Sequence, residues 1–190
     1  MNYQTIREIL ADEPLPTALV DLDALRANFG VITAAMGDAP VSLRLASKSI
    51  RHVGLMRRLL DMGGTRFRGL MCFCAREAAF LAEQGFDDLL IAYPFSRRDE
   101  ADVVARLAAA GTRVWATVDH IDHVALLQAA AIAHDTFIEV CLDVDVAVSA
   151  GPAHFGVRRS PIRSPEAARE VGAAVASSSG VRLTAVLAYE

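Results

Sequence analysis

Lysine is almost missing from this sequence. Of its 19 basic side chains only Lys48 is a lysine; all the others are arginine. Blocks of like charge are missing too, and the net charge of -4 leaves no basic footprint for nucleic acid. No apolar run approaches the roughly 18–20 residues that a membrane span needs. The leading segment carries Arg7, Glu8, Asp12 and Glu13 and does not read as a secretory signal. Cysteine occurs three times, at Cys72, Cys74 and Cys141, each in an apolar, strand-like run. An odd number of such cysteines reads as reduced core thiols in a cytoplasmic protein. Cys72-Phe73-Cys74 lacks the C-x-x-C spacing of a redox or zinc pair. A G-x-G-x-x-G after the first strand is also absent, which removes the dinucleotide fingerprint.

What remains is 190 residues, 53% of them hydrophobic, enough for one sizeable core. Residues 1–17 read as a leader, with Ile6, Ile9 and Leu10 on a short helix that Pro14 and Pro16 end. Thr17-Ala18-Leu19-Val20-Asp21 predicts a strand. Asp23 reads as the N-cap of a helix carrying Leu25, Phe29, Ile32 and Met36. Phe29 and Trp115 read as core.

From Val41 the pattern is regular. Strand-like runs at 41–46, 67–72, 88–93, 113–118 and 137–142 start about 21–26 residues apart, room for one strand, one helix and two short loops. Helical patterns lie between them, at 75–84 closed by Gly85, at 99–110 closed by Gly111 and at 119–131. Leu89-Leu90-Ile91-Ala92 and Val114-Trp115-Ala116 are apolar at consecutive positions, as strands covered on both faces require. Strand–helix alternation of this kind means a parallel α/β sheet. Residues 143–164, with Gly151, Pro152, Gly156 and Pro161, read as a long functional loop. A helix at 165–177 follows, with Ser164 as N-cap and Pro165 at its first position, and then a strand at 181–189. The fold class expected is an α/β (βα)8 TIM-type barrel, incomplete, with about six barrel strands. A barrel closes with eight strands and about 250 residues. Residues 18–190 are therefore expected to be part of a longer protein.

Ligands bind at the carboxyl ends of strands in such folds. Those ends carry Lys48, Cys72-Phe73-Cys74, Tyr93-Pro94, Asp119, Asp143 and Tyr189-Glu190. Lysine differs from arginine in one decisive respect: desolvated, it can shed its proton and add to an aldehyde. Partial burial among apolar strand ends is expected of Lys48, and the aldehyde cofactor that exploits such an amine is pyridoxal phosphate.

The stretch Leu15-Pro16-Thr17-Ala18-Leu19-Val20-Asp21-Leu22-Asp23-Ala24-Leu25-Arg26-Ala27-Asn28 resembles the opening of the D-threonine aldolase and D-serine dehydratase group. These are fold-type III pyridoxal phosphate enzymes that share the alanine racemase N-terminal barrel. Arg44-Leu45-Ala46-Ser47-Lys48 is similar to that group's R-P-H-x-K segment, with Ala46 in place of the histidine. Phe155-Gly156-Val157-Arg158-Arg159-Ser160-Pro161 and Leu187-Ala188-Tyr189-Glu190 are similar to an amino acid deaminase/aldolase branch.

The resemblance implies that Lys48 forms the cofactor Schiff base. It also implies cofactor contacts from Arg44, from Tyr189 and from His154, which stands where the group has arginine; either His154 or the neighbouring Arg158 takes that arginine's role. It further implies a homodimer, a small amino acid substrate, and a C-terminal β-domain outside these residues that carries a divalent metal. The activity implied is a lyase acting on D-configured β-hydroxy amino acids such as D-threonine or D-serine. A racemase and a non-catalytic cofactor carrier are the alternatives. Asp119-His120-Ile121-Asp122-His123 reads as a helix start, with Asp119 as its cap and Asp122 adding negative charge to the first turn, rather than a metal site. His52 reads as a helix-start residue, His134 as a surface turn, and Asp143 and Asp145 equally as strand-end turn residues or as residues that orient a neighbour in the site.

Overall fold

The computed structural model describes residues 2–151 and 153–189. Pro152 of the expected loop and Glu190 of the expected rim lie outside the described residues. The chain forms two compact units, residues 1–41 and 42–190.

The first unit holds α1 (Tyr3–Ile9) and α2 (Leu22–Met36). Asn2 caps α1 by accepting from the Thr5 N–H. Asp21, not Asp23, caps α2: its Oδ1 accepts from the backbone N–H groups of Asp23 and Ala24, each at 3.0 Å. A carboxylate two residues further back meets two free donors at once, and Asp23 is left to complement the dipole of the first turn. The predicted strand at 17–21 is not formed. Its residues pair with no described strand, and apolar β-branched residues alone do not make a ladder. Phe29 is half-buried rather than core.

The second unit alternates strands and helices as expected. Its elements are β1 (Leu43–Ala46), α3 (Ser47–Ile50), α4 (Val53–Gly63), β2 (Phe67–Cys72), α5 (Ala75–Glu83), β3 (Leu89–Ile91), α6 (Arg98–Ala109), β4 (Val114–Val118), α7 (Ile121–Ala133), β5 (Ile138–Asp145), β6 (Val148–Ala150), β7 (Ala153–Phe155), α8 (Pro165–Ala176) and β8 (Val181–Tyr189). One six-stranded parallel sheet runs β1-β2-β3-β4-β5-β8. The barrel is not closed: β1 and β8 are its two ends. No described helix is long and apolar enough to cross a membrane.

Alternation sorts the strand residues into two faces. Leu70, Cys72, Leu89, Ile91, Ala116 and Val140 pack against Ala78 and Leu81 of α5, Val104 and Ala105 of α6, and Val124 and Leu127 of α7, forming a dry outer core. The alternate residues Met71, Leu90 and Trp115 are only half-buried. The expectation of strands covered on both faces therefore holds throughout the helix side but on the inner face only at Thr117, Cys141 and Asp143, because six strands do not seal that face. Trp115 belongs to that inner face rather than to the core. Its indole N–H donates to Thr184 Oγ1 at 2.9 Å.

Residues 143–164 are more ordered than a loop. β5 continues to Asp145, and β6 and β7 form an antiparallel hairpin. The returning chain is then tied to β5, with the Asp145 N–H donating to the Ile162 carbonyl at 2.8 Å. Ser164 caps α8 and Pro165 opens it, as the sequence predicts.

Candidate active site

β1 ends at Ala46, and the next residues turn into α3. Ser47 is buried, and its hydroxyl donates to the Met71 carbonyl on β2 at 3.0 Å. That bond pins the start of α3 to the neighbouring strand. Arg51 closes α3 in the left-handed region, at φ 51°, with its N–H on the Ser47 carbonyl at 2.8 Å and its guanidinium Nε donating to the Lys48 carbonyl at 3.2 Å. His52 then caps α4, its ring nitrogen accepting from the Leu55 N–H. Lys48 is thus held on the rim. It is exposed, against the expectation of partial burial, because it lies on the first turn beyond the strand rather than between strand ends.

Lys48 Nζ donates to Tyr93 Oη at 3.2 Å and lies 5.5 Å from the centre of that ring. Tyr93 follows β3, and Phe73, following β2, meets it edge to face at 5.6 Å. The Lys48 ammonium beside it holds the Tyr93 phenol below its ordinary pKa, and Arg159 adds to that effect. Among the described residues no carboxylate lies within ion-pair distance of Lys48.

Arg159 supplies the second cation. Its guanidinium carbon lies 4.7 Å from the Tyr93 ring centre and 5.4 Å from that of Tyr189. Its Nε donates to Asp143 Oδ2 at 3.0 Å, and its Nη2 donates to the Ala92 carbonyl. Asp143 is fully buried at the end of β5, with Oδ1 lacking a hydrogen-bond partner. Burial pushes its carboxyl above the ordinary range, and Arg159 pulls it back. Ser160 locks the arrangement by donating its hydroxyl to the Asp143 carbonyl at 2.7 Å.

Lys48, Tyr93, Arg159 and Tyr189 share a cleft of about 220 Å³ with Met71, Val157 and Leu187. A groove of about 540 Å³ between α4 and α5 adjoins Lys48 on its other side, walled by Val53, Met56, Phe73 and Phe80. A further groove of about 530 Å³ between α6 and α7 offers no nucleophile.

The structure therefore brings together two of the four site residues expected from the sequence, Lys48 and Tyr189. His154 sits on the hairpin, exposed, sharing a 3.0 Å hydrogen bond with Ser149, and does not line the cleft. Arg158 is exposed as well; its neighbour Arg159 is the one that turns inward. Arg44 is also apart from the cleft. It pairs with Asp88, before β3, and its guanidinium carbon lies 5.2 Å from the Trp115 ring centre. The missed residues are Tyr93, legible only as a strand end, and Arg159, whose one signal is an arginine doublet between Gly156 and Pro161 in a strand-end segment.

The remaining candidates are structural. Cys72 and Cys141 are buried, which pushes their thiols up to about 12 and about 11 and leaves them inert at neutral pH. His120 rather than Asp119 caps α7. Asp119 instead faces His123 Nδ1 at 3.0 Å, since its strand-end backbone aims the carboxylate back over the first turn. No three His, Cys, Asp or Glu side chains among the described residues are arranged to hold a metal.

A primary amine, a guanidinium and two phenols around an aromatic-walled cleft suit a ligand that carries an aldehyde and an anionic oxygen. Residues 20–190 match the alanine racemase N-terminal domain. The chain belongs to that family. The expected kinship with the fold-type III group is borne out. The chain is 27% identical over 179 residues to a 3-hydroxy-D-aspartate aldolase of Paracoccus denitrificans, covering 92% of this chain and 42% of that protein. It superposes on a D-threonine aldolase from Filomicrobium marinum with a TM-score of 0.78 at 26% identity, covering 93% of this chain and 44% of the other. The fold alone is shared with a diaminopimelate decarboxylase from Helicobacter pylori, at a TM-score of 0.75, 13% identity and coverage of 99% and 46%. The chain thus spans less than half the length of these relatives.

Within this family fold, the Asp143–Arg159 pair holds the rim together. Replacing Arg159 with leucine strands a buried carboxylate, and a loss of about 2 kcal/mol at pH 7 is expected. The folded-state pKa of Asp143 is already raised and rises further without its partner. Stability is then retained below the unfolded carboxylate range and lost as pH rises through the folded value. Urea titrations should therefore show a larger deficit for the variant at pH 7 than at pH 4; an equal deficit would mean that packing, not charge, is what Arg159 contributes.

Proposed function

We propose that this chain forms the cofactor-holding barrel portion of a pyridoxal phosphate-dependent lyase acting on D-configured β-hydroxy amino acids. The observation that carries the reading is the sequence's single lysine on the carboxyl-end rim, its Nζ inside a cleft with Tyr93, Arg159 and Tyr189. The kinship with a 3-hydroxy-D-aspartate aldolase and a D-threonine aldolase supports it.

Lys48 would hold the cofactor through its amine. Arg159, oriented by Asp143 and the Ala92 carbonyl, would face the cofactor's anionic oxygen in place of His154 or Arg158, while Tyr93 and Tyr189 flank it. When bound, the cofactor supplies an electron sink for the substrate's Cα. Met71, Val157 and Leu187 make part of the cleft wall apolar. Lys48 Nζ, once free, stands where it can carry a proton on one face of the substrate.

The test is borohydride reduction of cofactor-loaded protein, with peptide mapping, beside incubation of an unreduced sample of the full-length protein with D-threonine, D-serine and 3-hydroxy-D-aspartate and their L forms, with and without a divalent cation. An adduct on Lys48 and cleavage or deamination of D substrates alone is expected. A Lys48 adduct with inertness toward every substrate would point to a carrier, and interconversion of D and L forms to a racemase.

A further inference from the structure

Lys48 needs a route by which its ammonium loses a proton, since only the neutral amine can attack an aldehyde. No described carboxylate lies within ion-pair distance of Lys48; Glu77 lines the same groove but accepts from the Phe73 N–H. What the rim offers is the Tyr93 hydroxyl at 3.2 Å. The difference is chemical. A carboxylate is too weak a base to take a proton from an ammonium, whereas a phenol and an ammonium ordinarily titrate within about half a unit of each other. Proton exchange between two such groups is far less uphill than from an ammonium to a carboxylate and needs no third partner.

Building on the lyase reading, we infer that Tyr93 is the residue that exchanges a proton with Lys48 Nζ. In the exchange one N–H bond of the ammonium breaks and its electron pair stays on nitrogen. A lone pair of the Tyr93 phenolate forms the new O–H bond. Ammonium and phenolate become amine and phenol, with no change in charge or electron count. The surroundings are built for this. Lys48 faces the phenol from α3, and Arg159 covers its ring from the chain following β7, with Asp143 behind it. On the opposite side of the ring, Arg97, Glu100 and His123 line a groove of about 340 Å³. The two cations nearest the phenol both favour its phenolate form, in agreement with the lowered pKa, so the accepting form is populated at lower pH while becoming a weaker base. Phe73 meets the ring edge to face at 5.6 Å, and the hydroxyl accepts from Lys48 Nζ.

Three measurements on the purified protein, with Tyr93→Phe and Lys48→Met variants, decide the matter. Without cofactor, phenolate absorbance is followed against pH. A step below the ordinary tyrosine range, lost in Tyr93→Phe and moved upward in Lys48→Met, supports the pairing; a Tyr93 step at its ordinary place and indifferent to Lys48→Met overturns it. With cofactor, borohydride labelling of Lys48 should persist in Tyr93→Phe while kcat on a D-hydroxy amino acid falls about 100-fold or more and KM changes little. Unchanged kcat overturns the inference and leaves the lyase reading standing. Loss of the label only in Tyr93→Phe also overturns it, since Tyr93 would then merely hold the cofactor. No label on Lys48 in the unaltered protein overturns the lyase reading instead, and the phenolate titration then decides the pairing alone.

Discussion

An arginine in place of Lys48 leaves the protein folded and its rim as positively charged as before, yet abolishes the borohydride-fixed adduct and lowers turnover by about 10⁴-fold or more. The substitution isolates one property. Guanidinium keeps the charge and can still donate to the Tyr93 hydroxyl, but it does not give up its proton at accessible pH and cannot become the attacking amine. Lys48 is exposed and makes no described ion pair, so a melting temperature within about 2 °C of the unaltered protein is expected. Peptide mapping after reduction reads the first effect, and single-turnover assays the second. An adduct that persists at another position, or turnover within tenfold of the original, would show that the reacting amine lies elsewhere.

Gly69→Ala should produce the largest loss of stability, about 2–5 kcal/mol. Gly69 lies in β2 at φ 61°, where an L side chain is strained by about 1–2 kcal/mol. An added Cβ would also run into the Asp88 carbonyl oxygen and Arg44 Nη1, and stand 2.8 Å from Asp88 Cβ. Such overpacking typically costs a further 1–3 kcal/mol. The Asp88 carbonyl accepts from the Leu70 N–H at 3.0 Å, and its carboxylate pairs with Arg44 and, at 3.7 Å, with Arg113. A shifted Asp88 therefore disturbs the meeting of β1, β2, β3 and β4. The β1–β2 register already shifts between Leu43 and Leu45, beside this position. A drop of roughly 4–20 °C in melting temperature follows from these figures. Gly172→Ala in α8 is the control. Nothing lies within 4 Å of its Cβ position, so a gain of about 0.5–1 kcal/mol is expected from helix propensity. Equal behaviour of the two variants would contradict the crowding at Gly69.

Both variants test positions that the sequence marks very differently. Lys48 is conspicuous at the end of an apolar run. Gly69 is one glycine among 12, and its constraint arises only because Asp88 and Arg44 fold onto it. Arg44 shows the same limit from the other side. As part of a motif it suggests the cofactor, whereas its strand position turns it onto Asp88 and Trp115. Arg158 and Arg159 are adjacent and chemically identical, and the pattern between Gly156 and Pro161 does not separate them. Ser160 does so in space. Its hydroxyl on the Asp143 carbonyl fixes the backbone so that Arg159 turns inward.

The sequence by itself determined the βα alternation, the two helix-closing glycines Gly85 and Gly111, the Ser164 cap, the position of Lys48 on the rim and the family. Each of these is written in contacts within a few residues, as a period of two or 3.6, a cap or a motif. Tertiary structure alone decided who meets Lys48. Tyr93 is 45 residues away in the chain, and Arg159 reaches the Ala92 carbonyl across 67. It also decided that residues 17–21 remain unpaired, that the inner face stays half-open and that Lys48 is exposed. Such outcomes depend on strands and loops converging from distant positions, and local periodicity carries no record of that convergence.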